Sequence, residues 1–159
     1  MPTSSRGSGD NAAALLEGPL AAAAVRLRVA VIATGADGAI RHWNAPAERL
    51  YGWAREDAIS RNVVELNASA QNRAHAEEIM RSLQAGKPWA GEIVLLRRNG
   101  LPFTAFVADV PLGPRFGDVI VGASAVAERS KAVLEFHRLL LDALSMKAPP
   151  LDPHRRSSV

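Results

Sequence analysis

"IRHWNAPAERLYGWAREDAI", residues 40–59, decides how the rest of the chain is read. Trp43 ends a strand-like stretch and Asn44, a favoured helix-capping residue, follows at once, with Pro46 in the first turn where a missing N–H costs little. Ala47, Leu50 and Tyr51 mark one helical face and Gly52 supplies the stop. Glu48 and Arg49 are expected to point to water. "REDAI" then reads as one more helical turn. A strand interrupted this early by a sharply capped helix implies a helical cover laid over one side of a sheet.

The flanking sequence supplies that sheet. Upstream, the β-branched run "LRVAVIAT" (27–34) turns through "GADG" (35–38) into "AIRHW" (39–43). Downstream, "NVVEL" (62–66) is a short helical piece. The clearest helix is 71–85, where Ala76, Ile79, Met80 and Leu83 fall at i, i+3, i+4 and i+7 and Gly86 stands at its end. The period then changes to two. "PWAGEIVLLRR" (88–98) and "LPFTAFVADVPL" (101–112) flank Asn99–Gly100, a strong hairpin signal. A loop holding Gly113, Pro114 and Gly117 leads to a last strand, "DVIVGASAVA" (118–127). Residues 128–146 are helical, with Val133, Phe136, Leu140 and Leu144 on one stripe and Leu134 and Leu141 beside it. That stripe either docks on the domain's own sheet or forms a dimerisation seam with a second copy, and since it is broader than one intramolecular contact needs, a homodimer is expected.

This order predicts an α+β fold: a five-stranded antiparallel sheet, short helices covering one face, and flanking N- and C-terminal helices. Residues 1–26 read as a disordered Gly/Ser-rich leader followed by an Ala-rich segment that Gly18–Pro19 splits into at most two short helices. Residues 27–127 form the folded domain, 128–146 a trailing helix, and 147–159 a Pro- and charge-rich tail or linker.

Composition narrows the chemistry. A hydrophobic share of 48% is enough for a buried core, and with aromatics at only 5% that core must be built mostly from Ala, Val, Leu and Ile. The absence of cysteine excludes disulfides, thiolate catalysis, Cys-ligated zinc and iron–sulfur clusters. Residues 27–127 hold eleven Lys/Arg against ten Asp/Glu, so no basic stripe is left for a nucleic-acid partner. The apolar run "PLAAAAV" (19–25) is too short to cross a bilayer, and Arg6 alone makes no secretory n-region, so a cytoplasmic location is expected. No phosphate loop, zinc helix or nucleophile signature is present, and Glu77 and Glu78 diverge by about 100° on a helix. His137, followed by Arg138, lacks the acidic neighbour of a phosphoacceptor histidine. An enzyme is not expected.

In this order and spacing, "DGAIRHWNAPAERLYGW", "GKPWAGEIVLLRRNGLPF" and "PRFGDVIVG" resemble the PAS sensor-domain family over residues 27–127, with the trailing helix in its usual place. Ala54 stands where that family often has a capping Ser or Thr, and Ser60 where a Gly is common. The resemblance implies a sensor and interaction module that holds a small ligand between sheet and helices, or dimerises, and signals through its trailing helix to an output domain. The Ala/Arg-rich usage and Pro-rich exit further resemble an actinobacterial stress regulator carrying serine-phosphatase and anti-sigma-factor modules.

Within that family the photoreceptor branch carries its reactive cysteine in an Asn-Cys-Arg-Phe-Leu-Gln run. Here the matching run is "NVVELN", with Val63 in the cysteine position, so no flavin photoadduct can form. Its flavin-binding amides map to Leu95, Ala105 and Ser124, which cannot pair with a flavin edge. "KPWAG" is similar to a stretch of flavin redox sensors, which leaves a flavin redox sensor as a third reading, but Trp89 reads more simply as a strand-edge aromatic. Haem-sensing members place an axial His late in the long helix. His75 lies at its start and His42, His137 and His154 lie elsewhere, so haem is not expected. What remains is an expected ligand cavity lined by Ile79, Met80, Leu83, Ile93, Leu95 and Phe103, together with Ala105, Val107, Ile120 and Ser124. It suits a fatty-acid-like guest whose carboxylate meets His75 or Lys87 at the mouth. The rival reading is a protein–protein module in which those residues fill one another.

Overall fold

The computed structural model of the chain describes residues 11–147. The disorder expected for residues 1–10 and most of the expected tail lie outside them. Strands β1 (Ala30–Thr34), β2 (Ile40–Trp43), β3 (Trp89–Leu96), β4 (Pro102–Pro111) and β5 (Ile120–Val126) form one antiparallel sheet in the order β2-β1-β5-β4-β3. The helices are α1 (Pro19–Leu27), α2 (Ala45–Tyr51), α3 (Arg55–Ala58), α4 (Val63–Asn67), α5 (Arg73–Gln84) and α6 (Ser130–Lys147).

The stretch 40–59 behaves as its capping chemistry predicts. Asn44 Oδ1 accepts from the Ala47 N–H at 3.0 Å, closing the first turn of α2. The same oxygen accepts from Val31 N–H at 2.9 Å, while its amide donates to Val29 O at 3.1 Å, so one side chain ties α2 to β1. Gly52, at φ 81°, ends the helix in the left-handed region. Glu48 departs from expectation. With Ala54 unable to cap α3, Glu48 Oε2 accepts from Arg55 N–H at 2.7 Å in its place. Ser60 takes the positive φ of 74° that glycine adopts more easily.

One boundary moves. Leu27 and Arg28, read as strand, instead end α1, because Arg28 adopts a left-handed cap whose N–H bonds back to Ala24 and Val25. The Ala-rich segment does split at Gly18, into a helical piece at 11–15 and α1.

The sheet is covered on both faces. On the inner face Ala30, Ile32, Leu95 and Ala105 pack under α2, α3 and α4 with Trp43, Tyr51 and Leu66. On the outer face Val31, Val121, Ala123 and Ala125 pack against α1 and α6 through Leu20, Ala24, Val133, Phe136 and Leu140. Val133, Phe136 and Leu140 are therefore spent inside the chain, at no more than 1% exposure, and Leu144 packs at their edge. Of the two fates open to that stripe, docking on the domain's own sheet is the one adopted, which removes these residues from a dimer seam. Leu134 and Leu141 are the large apolar side chains of α6 left exposed among the described residues. No helix among the described residues is long and apolar enough to cross a membrane.

Candidate functional site: a cavity with one carboxylate in its floor

Between the inner face and the helices lies a cavity of about 110 Å³. Strand register builds its floor. Ile32 on β1, Gly122 on β5, Asp109 on β4 and Trp89 on β3 are paired in one row across the sheet. Ser124 and Val107 belong to the next row, and Ile93 and Leu95 extend the floor along β3. Thr34 and Ile120 close the other end. Val63, Val64 and Asn67 of α4 and Ala76, Ile79, Met80 and Leu83 of α5 form the roof, with Tyr51 in the wall.

The roof is loosely held. α5 has twelve residues but buries only Leu83, and its apolar neighbours Ile79 and Met80 are half-buried because they face a void rather than a filled core. The i, i+3, i+4, i+7 pattern read from the sequence is thus the roof's inner face.

Eight of the expected ligand contacts line this cavity: Ile79, Met80, Leu83, Ile93, Leu95, Val107, Ile120 and Ser124. Four expectations are corrected. Phe103 and Ala105 lie beyond its end; Ala105 is fully buried, and Phe103 packs on Tyr51, with ring centroids 5.7 Å apart, beneath Arg97. His75 and Lys87 are exposed outside the cavity, since His75 precedes the inward stripe of α5 and Lys87 follows its end. His75 does meet the edge of Trp89, at 6.4 Å between centroids. Trp89, read as a strand-edge aromatic, is on an edge strand and also in the cavity wall.

Apart from Ser124, the polar groups were not anticipated. Tyr51 Oη and Ser124 Oγ share a buried hydrogen bond of 2.7 Å. Burial, ahead of the nearby Asp109 charge, pushes the Tyr51 phenol above its ordinary range. Thr34 Oγ1 and Asn67 Oδ1 are buried in residues at 4% and 5% exposure and have no partner. Asp109 is half-buried, its side chain reached from within the cavity, and no ion pair among the described residues involves it. Burial alone pushes its carboxyl up to about 7. Gly122 makes room for it: a Cβ there would fall 2.4 Å from Asp109 Oδ1.

Comparison with known proteins agrees with this architecture. A family model described as the PAS fold matches residues 14–127. A PAS domain from Colwellia psychrerythraea is 25% identical and superposes with a TM-score of 0.58, covering 67% of this chain and 92% of its own. The PAS domain of the Cronobacter turicensis quorum-sensing receptor RpfR, solved in complex with BDSF, is 14% identical, with a TM-score of 0.54 and coverages of 63% and 94%. The Rhodobacter sphaeroides LOV protein is 17% identical, with a TM-score of 0.56 and coverages of 79% and 90%. No curated protein matches the chain in sequence. A family model that spans most of the chain and a sheet whose roofed face encloses a void lead to the same conclusion: the chain belongs to the PAS family.

Proposed function

We propose that this PAS domain is a ligand-binding sensor whose cavity takes a small apolar guest of acyl or alkyl character. The observation that carries the reading is a greasy void beneath a helix that buries one residue. Its volume is on the scale of an engineered cavity of about 150 Å³ that accepts benzene. Each methylene buried there would contribute about 0.8 kcal/mol. The fatty-acid-like guest expected from the sequence keeps its apolar part in this reading, and one solved neighbour of the same fold supports it, the RpfR PAS domain, in one complex with BDSF and in another with C12:0. Its carboxylate, however, loses both expected anchors, because His75 and Lys87 stand outside.

A relay is built into β5. Ile120, Gly122 and Ser124 face the cavity, and the alternating Val121, Ala123 and Ala125 pack in the cluster that holds α6. Occupancy that shifts β5 therefore acts on the trailing helix, and through it on an output module. Serine-phosphatase and anti-sigma-factor modules are the kind the stress-regulator likeness names. A homodimer, in this reading, forms on Leu134 and Leu141, seven residues apart on the exposed side of α6, and light scattering of a doubly aspartate-substituted chain tests it.

Flavin is a poor match to these walls. Leu95 is apolar, Ala105 lies off the cavity, and the Ser124 hydroxyl is tied to Tyr51. A haem ligand is not offered by His75 either. Catalysis forms no part of the reading.

Organic extraction of purified protein with mass spectrometry, and thermal stabilisation by 1-hexanol, test it. Leu95→Trp should abolish the stabilisation while the chain still folds. An empty extract together with no response to 1-hexanol would overturn it.

A further inference from the structure

The polar wall of the cavity is one-sided. Its lining holds no Lys, Arg or His, yet it holds a carboxylate and two unmet oxygens, Thr34 Oγ1 and Asn67 Oδ1. The Asn67 oxygen can only accept, an ionised Asp109 can only accept, and the Thr34 hydroxyl can do either. A buried acceptor without a donor is costly, so the occupant that relieves this wall is one that brings hydrogens. Trp89, paired with Asp109 across β3 and β4, adds an aromatic ring to the same wall, and Tyr51 adds another. A carboxylate with aromatic neighbours in a mostly apolar pocket is a setting that favours an organic cation.

We propose that the occupant is a small alkylammonium ion, its –NH₃⁺ group seated on the Asp109 carboxylate and its hydrocarbon tail lying against Val107, Ile93 and Leu95 beneath α5. This rests on the cavity reading above and specifies the head group of the guest. The ammonium N–H donors go to Asp109, while Thr34, two strands away on β1 and one same-face step along from the Asp109 row, is a further polar group of the same lining. Two features of the site support the pairing. Gly122 leaves an unobstructed berth for the carboxyl group where any other residue would crowd it. The unpaired carboxyl is also held up to about 7 by burial, which a cation beside it would reverse. A carboxylate guest would instead place two like charges in one site.

The full chain is titrated with hexylamine, 1-hexanol and hexanoate at pH 8, by calorimetry and thermal shift. Hexylamine should bind about tenfold or more tightly than 1-hexanol, since a charge-assisted bond in a buried site is worth about 1.5–3 kcal/mol, and hexanoate should bind most weakly. Asp109→Asn should bring hexylamine down to the level of 1-hexanol. Equal affinity for amine and alcohol, tighter binding of hexanoate, or an amine preference that survives in Asp109→Asn overturns the ammonium head while leaving the cavity reading intact. Failure of all three probes sinks both. Should Asp109→Asn not fold, the ranking of the three probes on the unmodified chain decides alone.

Discussion

Asn44 joins two elements with one amide: it caps α2, accepts from Val31 N–H and donates to Val29 O. Asn44→Ala removes the cap and strands the Val31 N–H and the Val29 carbonyl, and should destabilise the chain by about 2–4 kcal/mol in urea unfolding. Asp109 acts in the opposite sense. Its carboxyl is neutral in both folded and unfolded chains well below its ordinary value of 3.8, and burial raises the folded value to about 7. As pH rises between these values the unfolded chain ionises freely and the folded chain does not, so this residue's share of stability falls and is fully lost above about 7. Asp109→Asn should therefore flatten the decline of stability between pH 4 and 8 and raise the melting temperature at pH 8, where a loss of stability on substitution would contradict this account. The two residues were not equally legible. Asn44 announces itself through local spacing, whereas Asp109 gave only a weaker sign, a charge in phase with Phe103, Ala105 and Val107 on a strand of period two. That phase shows which face the carboxylate joins; it does not show whether the face opposite is solid or hollow.

At the scale of elements, α5 and β5 divide the work of holding and relaying. The twelve residues of α5 bury one side chain, so its amides should exchange with solvent well ahead of those in β4 and β5, by about tenfold or more, and 1-hexanol should slow them selectively. Uniform exchange across helix and sheet, or protection confined to the sheet, would count against α5 as the roof. Strands, hairpin and helices were legible because period, turn residues and caps are local signals. The start of β1 was not, because Val29 and Leu27 are apolar in either conformation and the left-handed cap at Arg28 leaves no mark in residue type. The extent of the cavity escaped for a related reason. Alternation places Phe103 and Ala105 on the inner face correctly, yet where the roof stops depends on how α2 lays Tyr51 over that end of the sheet.

Across the whole molecule the sheet is a partition, with a dense cluster outside and a hollow one within. The outer cluster joins both ends of the described chain: Arg129, at the start of the trailing helix, donates to Arg28 O at 2.7 Å and to Leu27 O at the end of α1. Phe136→Ala should cost about 3–5 kcal/mol and release α6 together with α1, read as loss of helical signal in one transition. If α6 alone came loose with the sheet intact, the coupling through the outer cluster would be weaker than its packing indicates. Amphipathic stripes on these helices were plain in sequence, but a stripe does not name its partner, and the choice between own sheet and second copy fell to the apolar outer face of β5. Position 122 has a consequence of its own. One methyl group added there would evict the acid from its berth, so a single-codon change could turn a pocket tuned to charge into one that sorts its guests by shape alone.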